Sequence, residues 1–387
     1  MNRRIYLDNS ATTKICKEAL EKYAEASEEC FGNPSSLHAL GFESEKLTET
    51  ARGEILTSLG AKGASVIFTA SGSEANNLAI IGRAYSKERY RGMGKIITTD
   101  GEHASVNEPL AALVRAGFKM AKIPTVGGRL DMATLERELT PDVILITMMM
   151  VNNETGALYD IAEVARLMRS RCKEAVFHVD ATQSYMKLPF TKTSLGADMI
   201  TLSSHKIEGP KGIGALVVDE KIIKSRGLSP IILGGGQEGG LRSGTENVPA
   251  IAAFGEAVRV GRSELRERYA TLGALRAYLA EKIEALEEIS LTNPEKHAPH
   301  ILNITLPNIK SETMLHYLSS FGIYVSSGSA CSSNTGHVSS ALVAFGRSER
   351  EADCSIRISL SHRNTRSDID ELTEALKAGL AKLSRIR

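Results

Sequence analysis

Two charged residues in this sequence, each at the end of an apolar run, are of types that can take part in catalysis. Asp180 ends the run "AVFHVD", at the carboxyl end of a predicted strand, where open α/β sheets bind ligands. Lys206 follows "ITLSSH", close enough to buried strands to lose solvation, which favours the neutral amine that Schiff-base chemistry needs. The alternatives are that Asp180 caps the next helix and that Lys206 is an ordinary loop lysine.

A third segment, "VIFTASGSEANNLAI" at residues 66–80, predicts a strand, a turn of small residues and a helix that begins near Ser73. Free N–H groups and the helix dipole favour an anion at such a turn, and Gly72 permits its close approach. The segment therefore predicts a phosphate site, with a capped turn that binds nothing as the alternative.

Cys331 lies in "SSGSACSSNTG", a run of small polar residues with the composition of an exposed loop rather than of a packed core. The chain has five cysteines, an odd number, widely spaced and without a C-x-x-C pair. This pattern argues against a disulfide framework and a cysteine zinc site, and it predicts a reducing compartment. The other four are Cys16, Cys30, Cys172 and Cys354.

A lysine, an acid and a phosphate cradle are the three groups that pyridoxal phosphate needs, and these segments supply all three. At this point the sequence resembles, essentially from end to end, the pyridoxal-phosphate-dependent cysteine desulfurases of NifS/IscS type in the class V aminotransferase family. The resemblance rests on the strings "YLDNSATT", "GNPSSLH", "SGSEANN", "NNETG", "HVDATQS", "SSHKIEGPKGIG", "RSGTENV", "SSGSACSS" and "RISL".

The resemblance implies a role for each matching residue around the cofactor ring. Lys206 forms the Schiff base, Asp180 pairs with the ring nitrogen and His103 stacks on the ring and transfers protons. Gln183 and Asn153 contact the side of the ring that carries the hydroxyl group. The alternative for His103 is a polar residue at a strand end.

The resemblance also implies ligands for the phosphate and for the substrate. The phosphate ligands on one subunit are Gly72, Ser73, Ser203 and His205. Thr245 reaches the phosphate of the neighbouring subunit, so the protein is expected to be a homodimer. Arg357 holds the substrate carboxylate, with a surface strand arginine as the alternative, and Asn33 lines the same mouth.

Cys331 is, by the same resemblance, the nucleophile that takes sulfur from L-cysteine. Its thiolate attacks the substrate sulfur, so that L-alanine leaves and the cysteine carries a persulfide. The sulfur then passes to an acceptor or an iron–sulfur scaffold protein. The cofactor is pyridoxal 5'-phosphate, and no metal is expected.

Helix-like segments alternate with apolar or β-branched runs between about residues 50 and 220, which predicts a mainly parallel α/β sheet. The resemblance gives the fold class as fold type I of the pyridoxal-phosphate-dependent transferases, with a seven-stranded sheet. Long amphipathic helices follow, and then a smaller C-terminal α/β domain whose last helix Thr365 caps. The predicted domains are a large one at 15–258 and a small one at 1–14 and 259–387.

Composition adds few constraints. The 387 residues are 42% hydrophobic and 24% charged, with a formal net charge of +1, so no nucleic-acid or anionic-membrane partner is expected. The N-terminus has no apolar segment after its two arginines, and the longest apolar stretch is too short to cross a bilayer. The expected location is the cytoplasm.

Three positions depart from the pattern of the relatives. Glu208 replaces an aromatic residue or histidine, Gly239 replaces a frequent arginine, and "SSNTGHVSSAL" lacks a proline common after the cysteine. The first two are expected to affect the surroundings of the cofactor or dimer contacts, and the third to affect loop dynamics or partner docking.

Three other functions remain open from the sequence. An aminotransferase of the same fold would use Lys206, Asp180 and Arg357 but needs no thiol, and a cysteine or selenocysteine lyase would release free sulfide or selenide. A scaffold that binds iron through Cys331, His337 and Cys354 lacks metal-ligand spacing and leaves the lysine and acid unexplained.

Overall fold

The computed structural model describes residues 4–86, 93–328 and 339–385. Its strands are β1 (Ile5–Tyr6), β2 (Ala64–Thr69), β3 (Lys95–Thr99), β4 (Lys119–Ile123), β5 (Val143–Met149), β6 (Val176–Asp180), β7 (Met199–Ser203), β8 (Gly214–Asp219), β9 (Ser290–Thr292), β10 (Ile301–Thr305), β11 (Ile323–Tyr324) and β12 (Ser355–Ser359).

The helices of the described residues flank these strands. They are α1 (Lys17–Glu29), α2 (Ala39–Ser58), α3 (Gly72–Ala84), α4 (Ala104–Arg115), α5 (Met132–Glu138), α6 (Ile161–Arg171), α7 (Lys192–Leu195), α8 (Glu220–Lys224), α9 (Val248–Glu284), α10 (Ser311–Ser320), α11 (Ser340–Phe345), α12 (Glu349–Asp353) and α13 (Arg366–Lys382).

The large sheet has seven strands in the order β2-β8-β7-β6-β5-β3-β4. Only β8 runs antiparallel to its neighbours, β2 and β7, and the other pairs are parallel. β5, β6 and β7 are buried along their length, because helices cover both faces of the sheet. The predicted mainly parallel seven-stranded sheet is therefore confirmed.

The C-terminal part forms a second core around the antiparallel sheet β12-β10-β9. Ile5 and Leu7 from the N-terminus pack into this core, as do the residues of α9 from Leu272 onward. The expected boundary at residue 258 falls inside α9, whose first half packs with the large sheet. Residues 15 and 258 stay predictions as domain boundaries.

The helix ends follow the local chemistry of the sequence. Thr365 caps α13 in a capping box with Asp368, as its position predicted. α3 begins at Gly72, one residue before the predicted start, and the Ser71 side chain accepts a hydrogen bond from the Glu74 N–H. No helix within the described part of the chain is both long and apolar enough to span a membrane.

Candidate active site

A cavity of about 230 Å³ lies at the carboxyl ends of the central strands, beside the N-terminus of α3. Parallel strands deliver their following residues to one sheet edge, so segments distant in sequence meet here. The lining residues are Ser10, Ala11, Ser71, Gly72, Ser73, Asn76, His103, Ser105, Met149, Val151, Asn153, Asp180, Thr182, Gln183, Ser203, His205, Lys206 and Arg357.

Lys206 enters the cavity from a short 3₁₀ turn, Ser204–Lys206, directly after β7. Its Nζ donates to the main-chain carbonyls of Ser10, at 2.6 Å, and of Ala11, at 2.8 Å. The N-terminal segment therefore holds the amine through backbone oxygens. The side chain is half-buried.

Asp180 is the last residue of β6 and is 6% exposed. One carboxylate oxygen accepts a hydrogen bond from the Asn76 side chain at 2.8 Å, and the other from the Thr182 N–H at 2.9 Å. Two neutral donors hold this carboxylate without an ion pair within 4 Å among the described residues. Its negative charge is thus available to a cationic group in the cavity.

His103 caps α4 and lines the same cavity. Its Nδ1 accepts from the Ser105 N–H at 3.1 Å and lies 2.9 Å from the Ser105 hydroxyl. Burial lowers the pKa of His103, opposed by the negative charge of Asp180. A neutral imidazole in this position is able to accept a proton.

Small and hydroxyl residues surround the N-terminus of α3. A Cβ at Gly72 would lie 3.1 Å from the Ser203 Cβ, so glycine leaves space that another residue would fill. Burial and the charge of Lys206 lower the pKa of His205 to about 4, so its imidazole is neutral at pH 7. Hydroxyls, free N–H groups and the positive end of a 13-residue helix suit a phosphate.

Arg357 comes from β12 and is 2% exposed, which excludes the surface strand arginine that was its alternative. Its guanidinium donates to the Asn153 carbonyl and to an Asp8 carboxylate oxygen, both at 2.9 Å. Its Nε is buried and has no hydrogen-bond partner among the described residues. The three-stranded sheet thus delivers a cation to the cavity at the edge of the seven-stranded sheet.

The structure brings most of the predicted site residues together in this one cavity. Gln183 and Asn153 line it, as do Gly72, Ser73, Ser203 and His205. Asn33 and Thr245 are not among the lining residues, and both side chains are exposed. Cys331 lies outside the described residues, as does most of the altered segment that follows it.

Sequence reasoning missed three contributors to the site. Ser10 and Ala11 act through main-chain carbonyls, for which a sequence carries no side-chain signal. Asn76 orients Asp180 from the second turn of α3, where an asparagine looks like a solvent-facing residue. The signal that could have identified it is its distance of four residues from Gly72, which places both on one helix face.

The cavity fits pyridoxal phosphate, as the chemistry of its donors shows. Asp180 is able to pair with the protonated ring nitrogen, the Lys206 amine is able to bond to the aldehyde, and the N-terminus of α3 is able to bind the phosphate. Asn76 Oδ1 is buried beside the cavity and has no hydrogen-bond partner among the described residues, so the site retains an unused polar group.

Comparison with known proteins identifies the family. The class-V aminotransferase pattern matches residues 5–372. The cysteine desulfurase IscS 1 of Archaeoglobus fulgidus is 38% identical over 381 residues, 98% of this chain and 97% of the relative. The chain belongs to the class-V aminotransferase family, which confirms the predicted family and its cofactor, pyridoxal phosphate.

Solved structures agree with this assignment. A structure described as a NifS-like protein aligns with a TM-score of 0.90 at 33% identity, covering 98% of this chain and all of that one. A structure described as SspA in complex with cysteine aligns with a TM-score of 0.80 at 32% identity, covering 93% of this chain and all of that one. The predicted fold class is therefore confirmed.

Proposed function

We propose that this protein is a cysteine desulfurase that converts L-cysteine to L-alanine and retains the sulfur as a persulfide on Cys331. The observation that carries the proposal is the meeting of Lys206, Asp180 and Arg357 in one cavity. Similarity to IscS proteins and to a protein solved with cysteine supports the choice of substrate. Iron–sulfur cluster assembly as the use of the sulfur is part of the same proposal.

Each side chain has a defined task in this proposal. Lys206 would hold the cofactor through its amine, and Asp180 would keep the ring nitrogen protonated. The bound cofactor supplies an electron sink that weakens bonds at the amino acid. Neutral His103 accepts or returns a proton beside the ring, and the buried Arg357 cation attracts the substrate carboxylate.

The phosphate lies at the N-terminus of α3 in this assignment. Gly72 and Ser73 offer main-chain N–H groups, and Ser203 and His205 offer side-chain donors. Gln183 and Asn153, which line the same cavity, would hold the hydroxyl side of the ring. Asn33, which is outside the cavity of its own chain, serves the substrate entrance.

Sulfur transfer requires no outside oxidant or reductant. The Cys331 thiolate bonds to the substrate sulfur, the bond between that sulfur and the substrate Cβ breaks, and Cβ gains a proton. One thiol and one cysteine thus become one persulfide and one alanine. A sulfur-accepting protein then removes the terminal sulfur, and a cytoplasmic location is part of the same proposal.

A homodimer completes the site. Thr245 is exposed and lines a different pocket from Lys206 in its own chain, as expected of a residue that serves the neighbouring subunit. Phe31, Leu37 and Phe42 are 71%, 106% and 67% exposed, and Leu233 is 80% exposed. Large apolar side chains exposed to this degree favour a protein contact.

Product analysis tests the activity and separates it from that of an aminotransferase. The purified protein is incubated with L-cysteine and dithiothreitol, with and without a keto acid. We expect equal amounts of alanine and sulfide at a rate that the keto acid does not change. Pyruvate as the product from cysteine, or amino transfer that depends on the keto acid, would contradict the proposal.

A further inference from the structure

A second lysine lies behind the first and has no part in the chemistry described above. Lys187 follows β6 and is 8% exposed, and its Nζ donates to Gln183 Oε1 at 3.3 Å. Across the three described stretches of chain, no carboxylate lies within 4 Å of this amine. An amine with three donors is therefore buried with one long hydrogen bond to a protein group.

The charges around Lys187 make its burial unfavourable. Burial and the positive charges of Lys206 and Arg357 lower the pKa of Lys187 to about 7, opposed by Glu208. The other titratable groups around it are His205, His300, Arg268 and His362. A lysine whose pKa falls on folding reduces stability below its unfolded pKa, so the charge of Lys187 costs the folded protein stability at pH 7.

Hydrogen bonds connect Lys187 to the lysine of the active site. Lys187 donates to Gln183 Oε1, and Gln183 Nε2 donates to the Ser10 carbonyl at 2.9 Å. The Lys206 amine donates to the same carbonyl at 2.6 Å. Both lysines also line a small chamber of about 30 Å³ on the side of Lys206 away from the main cavity.

We propose that Lys187 is a positioning residue that fixes the side-chain amide of Gln183 and, through the shared Ser10 carbonyl, the Lys206 amine. A lysine donates whether or not it is charged, so it keeps the Gln183 carbonyl oxygen turned away from Ser10 and the amide nitrogen turned towards it. Without that donor, the buried oxygen has no partner and the amide loses its fixed orientation. This inference rests on the proposed function, because it assumes that Gln183 faces the cofactor.

Replacing Lys187 by methionine tests the inference, since methionine keeps the length and apolar stem but has no donor. We expect Lys187→Met to unfold at an equal or higher urea concentration than the wild type at pH 7. The dissociation constant for pyridoxal phosphate, measured on the full chain stripped of cofactor, should rise about tenfold. The ratio of the absorption bands of the reconstituted protein at pH 7 should also change.

Lys192→Met is the matched control. Lys192 is also largely buried but forms an ion pair with Asp219 and does not line the cavity. We expect this variant to lose stability while its cofactor affinity and spectrum stay unchanged. If Lys187→Met instead loses stability and binds the cofactor like the wild type, Lys187 is a structural residue and the inference is wrong.

A double-mutant cycle shows whether Lys187 acts through Gln183. The variants are Lys187→Met, Gln183→Leu and the double variant, with cofactor affinity and absorption bands as the measurements. The double variant should be no worse than Gln183→Leu alone, whereas additive losses would overturn the inference. If Lys187→Met does not fold, Lys187→Leu, which also lacks a donor, replaces it in the cycle. Failure of the wild type itself to bind cofactor would contradict the proposed function.

Discussion

At the scale of single residues, the site depends on neutral groups that fix the positions of Lys206 and Asp180. Two main-chain carbonyls hold the Lys206 amine, and Asn76 and the Thr182 N–H hold the Asp180 carboxylate. None of these four partners carries a charge. Hydrogen bonds to uncharged groups therefore fix the positions of the two side chains that the cofactor would contact.

Lys206→Ala removes the amine and should abolish alanine formation. The variant should also lose the visible absorbance of the lysine-bound cofactor, although the phosphate end still offers binding groups at α3. The measurements are an absorption spectrum and an alanine assay on the same preparation. A folded variant with wild-type turnover would mean that Lys206 is an ordinary loop lysine.

Glu102 gives stability a predictable pH dependence. Its carboxyl accepts hydrogen bonds from Thr99 and the Met149 N–H, but burial raises its pKa from 4.5 to about 8. The protonated form is favoured in the folded protein, so this contribution to stability is present below pH 4.5 and is lost as pH rises towards 8. Glu102 thus costs stability in alkaline solution.

Glu102→Gln should therefore stabilise the protein at high pH. The expected gain in free energy of unfolding at pH 8 is on the order of a few kcal/mol, falling towards zero near pH 5. Urea unfolding of both proteins at the two pH values measures it. A difference that is the same at pH 5 and pH 8 would show that Glu102 does not titrate as described.

At the scale of elements, the periodicity of apolar residues predicted the seven strands, because buried parallel strands read as continuous apolar runs. It did not predict that α9 is one helix of 37 residues. Glycines interrupt the helical pattern there, but Gly255 serves packing: a Cβ on it would lie 2.7 Å from Ala51 in α2. Sequence alone does not distinguish a glycine that ends a helix from one that lets a neighbouring helix pack closely against it.

Glu208 lies two residues after Lys206, and its ion pairs join this segment to two others. Its carboxylate pairs with Arg363 of the small domain at 3.0 Å and with Arg268 of α9 at 3.4 Å, and it is 7% exposed. Its backbone has φ +65°, a strained value for a residue other than glycine. The departure from an aromatic residue or histidine therefore creates a cluster of ion pairs that links the segment after β7 to α9 and to Arg363.

Glu208→Gln should loosen the contact between the domains. We expect the free energy of unfolding to fall by ~2 kcal/mol and the KM for cysteine to rise, because Arg268 and Arg363 lose a buried anion. Asp198→Asn is the control, since Asp198 pairs with Arg169 and Lys221 and does not line the cavity. Equal changes in KM for the two variants would contradict the link to the active site.

At the scale of the whole molecule, one cavity lies where a large parallel sheet meets the β12 strand of a second core. Arg357 shows why sequence alone does not give this arrangement. The arginine lies 177 residues from Asp180, and only the packing of two sheets brings both to one cavity. The mainly parallel sheet follows from periodicity, while the position of the β12-β10-β9 sheet depends on contacts between distant segments.

The proposed dimer is testable by complementation. Lys206→Ala and Thr245→Trp are each expected to be inactive, the second because a bulky side chain blocks the phosphate of the neighbouring subunit. After random mixing about half of the dimers are mixed, and in each of these one of the two sites has both intact residues. Activity should therefore return to about a quarter of the wild-type value. Folded, dimeric parents that give no activity when mixed would disprove a shared site.

Persulfide mapping tests the central claim, sulfur transfer to Cys331, most directly. The protein is incubated with L-cysteine without reductant, digested and analysed by mass spectrometry. We predict one extra sulfur atom on the peptide that contains Cys331, removable by dithiothreitol, and none on the peptides of the other four cysteines. Cys331→Ser should bind cofactor and cysteine yet release no alanine, because a hydroxyl is a poor nucleophile towards sulfur. Alanine formation by this variant at the normal rate, or the extra sulfur on Cys354 or Cys172, would contradict the account.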